Sequence, residues 1–147
     1  MNIEIHLRKQ DNQSNPDLTV SFGDIIQHET VKNLEQTILI NCIKHESDTK
    51  LIIERNDIKL YNTKHDHHSN KIFVDRVIVD NFWQFDKDFY PPTTQFHNEY
   101  KEHIKKVGSA DWITNSMKFN THLYFNGCLE WNVKYPVRRC FFKDIER

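Results

Sequence analysis

The sequence predicts an all-β protein: an antiparallel, two-sheet, jelly-roll-like β-sandwich with a helical insertion before its last hairpin. Three observations carry this expectation. Short runs with two-residue alternation or β-rich composition dominate the chain. A single stretch, from Thr93 to Gly108, switches clearly to a helical period. Finally, there are only 3 glycines, and none sits in a phosphate-cradling loop of the kind that opens an α/β nucleotide fold. The 147 residues suit one domain, 1–147, with the helical insertion at about 93–119.

The elements follow in order. Ile3, Ile5 and Leu7 alternate with Glu4 and His6, as in a strand with one wet face. The polar stretch Gln10 to Asp17 (QDNQSNPD) is a turn region punctuated by Pro16. Leu18, Val20 and Phe22 restore the alternation, and Gly23-Asp24 marks a turn into a partner strand over Ile25 to Val31. TILINCI (Thr37 to Ile43) and LIIE (Leu51 to Glu54) are β-rich runs separated by the polar turn HESDTK, and IKLYN (Ile58 to Asn62) alternates again. KIFVDRVIVD, Lys71 to Asp80, is apolar on both faces except at Asp75 and Arg76, which reads as a strand covered on both sides.

After Pro91-Pro92 the period changes. Thr93 or Thr94 is the expected N-cap of a helix whose stripe is Phe96, Tyr100, Ile104 and Val107 and whose end is Gly108. Ala110 to Phe119 (ADWITNSMKF) reads as a second short helix with Trp112, Ile113 and Met117 inward. Asn126-Gly127 then signals a hairpin. A two-residue loop there would put Leu123 and Phe125 on the face opposite Leu129 and Trp131. A bulged three-residue loop with Gly127 left-handed sets Leu123, Leu129, Trp131 and Val133 on one face, and burial favours that register.

Composition excludes several function classes. Lys and Arg number 20 against 21 Asp and Glu, a net charge of −1, which gives no basic face for nucleic acid. No apolar run approaches the ~20 residues that span a bilayer, and the N-terminus lacks the pattern of a signal peptide. Cys42, Cys128 and Cys140 are odd in number and sit in apolar surroundings, so reduced structural thiols and synthesis in a cytoplasm are expected.

Reactive constellations are weak. His65-Asp66-His67-His68 lies in a polar loop, but its spacing matches no closed metal site. Asp80, Asp86 and Asp88 supply oxygen ligands of the kind calcium takes, yet read more simply as surface carboxylates near a turn. His103 belongs to the rim of the helix, and no thiol has a base partner at motif spacing. The expectation is therefore a non-enzymatic protein without metal or cofactor. The aromatic cluster Phe82, Trp83, Phe85, Phe89 and Tyr90 reads as corner packing ahead of the helix. The rival reading makes Trp83, Tyr90 or Tyr124 a sugar-stacking platform. The adjacent Phe141 and Phe142 cannot both point inward from one strand, so one of them seeks the helix or a partner surface.

The strand-rich N-terminal half, the turn with Asp48-Thr49, KIFVDRVIVDNF, FYPP and FNGCLEWNVKYPV, taken in order, resemble a jelly-roll family of large tailed-bacteriophage virion proteins. Those domains are similar to carbohydrate-binding modules. The resemblance implies a virion structural or decoration protein, made in the host cytoplasm and bound to capsid or tail subunits. Its alternative is an adhesin-like module recognising host surface glycans. No functional residue carries over from the family, so the binding candidates remain Trp83, Tyr90, Tyr124, Phe141 and Phe142.

Overall fold

The computed structural model describes residues 1–41, 46–59, 70–80, 83–86 (backbone only), 92–107 and 121–135. Two five-stranded antiparallel sheets account for most of them. Sheet A runs β4 (Glu35–Asn41), β1 (Asn2–Lys9), β6 (Ile72–Val79), β7 (Trp83–Asp86), and the short β9 (His122–Leu123) also pairs with β6. Sheet B runs β3 (Ile25–Thr30), β2 (Asp17–Phe22), β5 (Thr49–Arg55), β10 (Gly127–Val133), β8 (Thr93–Phe96). One helix, α1 (Asn98–Val107), follows β8. The expected β-sandwich is what forms.

Alternation decides which face of each strand is inward. Ile3, Ile5 and Leu7 of β1, Ile38 and Ile40 of β4, and Val77 and Val79 of β6 are buried from sheet A. Val20, Phe22, Leu51, Ile53, Leu129 and Trp131 meet them from sheet B. The Gly23-Asp24 turn is as expected: Phe22 pairs with Ile25, and Gly23 takes φ 59°, where a Cβ is strained.

Three expectations are corrected. The first concerns β6, which is covered on one face, not two: Phe73, Asp75 and Ile78 are only half-buried. Its apolar residues look two-faced because the pairing with β1 slips by one residue, Leu7 opposing Val74 and His6 opposing Arg76. The extra residue, Asp75, is a bulge that returns Ile72, Val74, Val77 and Val79 to one inner face.

The second is the helix start. Thr93–Phe96 is an edge strand on β10, with Thr94 and Phe96 buried and Thr93 and Gln95 exposed. The helix begins at Asn98, and His97, not a threonine, offers the first intrahelical carbonyl, to Lys101 N–H at 3.0 Å. Phe96 and Tyr100 still stack, at 6.0 Å, across the strand-to-helix junction. The second helix expected at 110–119 lies outside the described residues.

The third is the Asn126-Gly127 hairpin. β9 pairs in sheet A and β10 in sheet B, so the two residues cross between sheets and neither hairpin register forms. Gly127 is not left-handed. Leu123, Leu129, Trp131 and Val133 are nonetheless all buried, because facing sheets bring together what the hairpin was expected to align. Asn126 is buried and acts as a surrogate strand: its Oδ1 accepts Ile58 N–H at 3.0 Å and its Nδ2 donates to Ile58 C=O at 2.9 Å. Gly127 is needed for another reason. A side chain there would collide with the Gln95 carbonyl of β8 and reach within 2.6 Å of the Phe125 ring. Gly127→Ala is expected to lower stability by about 1–3 kcal/mol in urea unfolding, and an unchanged midpoint would contradict this close approach.

One end of the sandwich is closed by polar side chains. Arg55, 3% exposed, donates to Asp57 Oδ1 at 2.7 Å and, through Nη1, to the carbonyls of Asn70 and Leu123, each at 2.9 Å. Asn70, fully buried at φ 45°, a conformation asparagine tolerates, donates to Ser14 C=O at 2.9 Å and accepts Asp11 N–H at 3.1 Å. Lys9 joins this end, its Nζ capped by Ser14 C=O at 3.1 Å and Asn15 Oδ1 at 2.9 Å.

Candidate functional site

The outward residues of the two sheets differ in chemistry. On sheet B, one row crosses His28, Thr19, Glu54, Cys128 and Gln95 in register. Beside it lies a cleft of about 430 Å³ lined by Asp17, Thr19, His28, Glu29, Glu54 and Asp57. Its carboxylates are already engaged. Asp17 accepts from Thr30 Oγ1, Asp57 from Arg55, and Glu29 from Gln27, while Glu54 faces His97 at 3.3 Å. No phenyl, phenol or indole ring stands on this face among the described residues.

Sheet A presents rings. Arg8, Phe73 and His122 are cross-strand neighbours on β1, β6 and β9. Phe73 and His122 lie 5.4 Å apart, His122 and Tyr124 5.2 Å apart, all three half-buried. The Phe125 ring, fully buried, meets Tyr124 edge-on at 5.1 Å and supports it from below. Cations flank the row. The Arg8 guanidinium lies 4.7 Å from the Phe73 ring centre, and Lys71 Nζ lies 5.9 Å from that of Tyr124. Arg8 also grips the Asp75 carboxylate through Nε and Nη2, the second bond at 3.0 Å. The bulge in β6 is what sets Asp75 beside Arg8. Burial, and then the Lys71 charge, lower the pKa of His122 from its usual 6.5, so its ring is neutral at pH 7.

Of the residues expected at a binding site, Tyr124 is the one that stands in this row among the described residues. Trp83 opens the strand β7 opposite Val79, and only its backbone is described. Tyr90, Phe141 and Phe142 lie outside the described residues, as do His65 to His68, Asp88, Cys42 and Cys140. Asp80 spends its Oδ1 on Asn2 N–H at 2.7 Å. Cys128 is buried, and burial followed by Glu130 pushes its thiol up to about 11, so it stays protonated and unreactive at neutral pH. The sequence reading missed Phe73, His122, Lys71 and Arg8. Phe73 carried a usable signal, since alternation from Ile72 and Val74 turns it outward.

No protein-family model matches the sequence, and no curated protein matches it. A solved structure shares the fold: the selenomethionine form of vCBM60, described in connection with two families of calcium-dependent carbohydrate binding modules linked by circular permutation. The likeness covers 90% of this chain and 91% of that one, with a TM-score of 0.50 and 13% sequence identity. The likeness shows the fold, a two-sheet β-sandwich. The resemblance to bacteriophage virion domains finds no support in these comparisons. Among the described residues, no three His, Cys, Asp or Glu side chains gather to hold a metal ion.

Proposed function

We propose that the protein is a carbohydrate-binding module that stacks a sugar on the ring row of sheet A. One observation carries this reading: Phe73, His122 and Tyr124 form a half-buried row, supported edge-on by Phe125 and flanked by Arg8 and Lys71. A pyranose has an apolar C–H face and a rim of hydroxyls. Rings beneath and polar groups beside match both surfaces. The fold shared with vCBM60 supports the reading. Binding, and not catalysis, is the chemistry such a face performs, and Cys128, protonated at neutral pH, offers no nucleophile.

The test is affinity electrophoresis through gels holding a panel of soluble polysaccharides. Retardation by at least one polymer is expected. The double variant Phe73→Ala/Tyr124→Ala should weaken it on the order of ten-fold or more, the equivalent of ~1.4 kcal/mol. Both side chains are half-buried at the surface of sheet A, and the variant is compared only after its circular dichroism spectrum matches that of the wild type. No retardation in any gel, or equal retardation of the folded variant, would overturn the reading.

A second reading makes the chain a structural subunit, in a virion or another assembly, and one feature favours it. Ile26 and Leu39 are 63% and 56% exposed on β3 and β4, the outer strands of the two sheets. These strands lie side by side, Gln27 Nε2 donating to Leu39 C=O at 3.2 Å. Ile26→Lys with Leu39→Lys should abolish co-purification with particles on this reading while leaving polysaccharide retardation untouched.

A further inference from the structure

Resting on the carbohydrate-binding reading, we propose that the sugar bound at this face is anionic, its carboxylate or sulfate held by Lys71 while its apolar face lies on the ring row. Three features lead there. First, the cations beside the rings are not equivalent. Arg8 is bonded twice to Asp75 and stands opposite Glu35 across β1 and β4, so its charge is answered within the protein. Lys71 forms no ion pair with a carboxylate among the described residues.

Second, Lys71 is anchored by its backbone and not by its charge. Its N–H donates to Gln10 Oε1 at 3.1 Å, and its C=O accepts Gln10 N–H at 2.9 Å. The main chain is thereby fixed while the half-buried residue holds its ammonium beside Tyr124, near the outer limit of useful cation–π distance. An anion at that ammonium replaces a weak contact by a charge-assisted hydrogen bond, with little ordering cost left to meet.

Third, His122 supplies a ring without a second positive charge, so among the described residues beside the rings Lys71 is the cation left to meet an anionic substituent. The whole chain has a net charge of −1, so a general attraction for polyanions is not what this face offers.

The experiment compares matched polymers: polygalacturonate with its carboxyl-reduced form, and dextran sulfate with dextran. Each is measured against the wild type, Lys71→Gln and, as a control on the exposed part of the helix, Lys106→Gln. Binding of the wild type to one charged polymer should exceed binding to its neutral partner on the order of ten-fold. Lys71→Gln should erase that difference without lowering the melting temperature, and Lys106→Gln should preserve it. The charged polymer that is retained identifies the substituent as carboxylate or sulfate. Equal binding to charged and neutral members, or equal loss in the two lysine variants, overturns the anionic preference and leaves sugar stacking standing. Binding to no polymer, in these pairs or in the wider panel, overturns both.

Discussion

Arg55→Met is expected to cost about 3–5 kcal/mol of stability, because it removes one member of a buried charged network and leaves the others unsatisfied. Arg55 ends β5 on its inner face, between Leu18 of β2 and Gly127 of β10. A charge at such a position is tolerated only when its donors are used. Here the guanidinium ties sheet B to Asn70 at the entry to β6 and to Leu123 of β9, both on the sheet A side. With methionine in its place, the Asn70 and Leu123 carbonyls lose their donors in a buried setting, and Asp57 loses its cation. Arg55→Lys should recover only part of the loss, since one ammonium cannot reproduce a planar fork aimed at three acceptors. Urea unfolding at neutral pH is the measurement. A loss below ~1 kcal/mol for the methionine variant would mean that the network adds little to holding the sheets together.

Trp131→Ala should cost a similar ~3–5 kcal/mol, for an apolar reason. Trp131 is 5% exposed, paired with Leu51 of β5, and flanked on its own face by Leu129 and Val133, each fully buried. β10 is an interior strand of its sheet, so the surrounding backbone cannot collapse into the space left by an indole without disturbing β5. The denaturation midpoint should fall while the slope stays constant, since the variant still unfolds the same surface. A change below ~1 kcal/mol would place the indole outside the core.

Strands with alternating or β-rich runs were legible in the sequence: β1 and β2 sit where the alternation of Ile3 to Leu7 and Leu18 to Phe22 placed them, and β5 where the β-rich run Leu51 to Glu54 did. Trp131 was expected in the core through a hairpin register that does not form, and it is buried because β10 pairs with β5 inside sheet B. Local signals failed where a non-local partner decided the outcome. Asn126-Gly127 has the chemistry of a hairpin turn, but Asn126 spends its amide on Ile58, far away in sequence, and β10 finds its partners in β5 and β8. Thr93 to Phe96 fit a helix stripe through Phe96 and Tyr100, yet an available edge on β10 draws β-branched threonines into the sheet. The bulge at Asp75 masked the outward signal of Phe73, because one inserted residue made the half-buried ring look like part of a two-faced apolar run. At the candidate site, Tyr124 was visible as a ring among polar neighbours. The cations were not, since nothing local in the sequence says that Arg8 and Lys71 flank the rings of Phe73 and Tyr124.

The central place of β10 in sheet B bears on how the chain is made. β5 cannot complete its pairing until residues 127–133 exist, and β8 rests on the same late strand. At ribosomal rates of about 5–20 residues per second, the interval between residues 55 and 133 lasts roughly 4–16 s. During that interval the β10 side of β5, the strand that carries Leu51 and Ile53, has no partner strand. A chaperone that shields apolar strand edges would find its substrate there, and a ribosome stalled before residue 127 would display it.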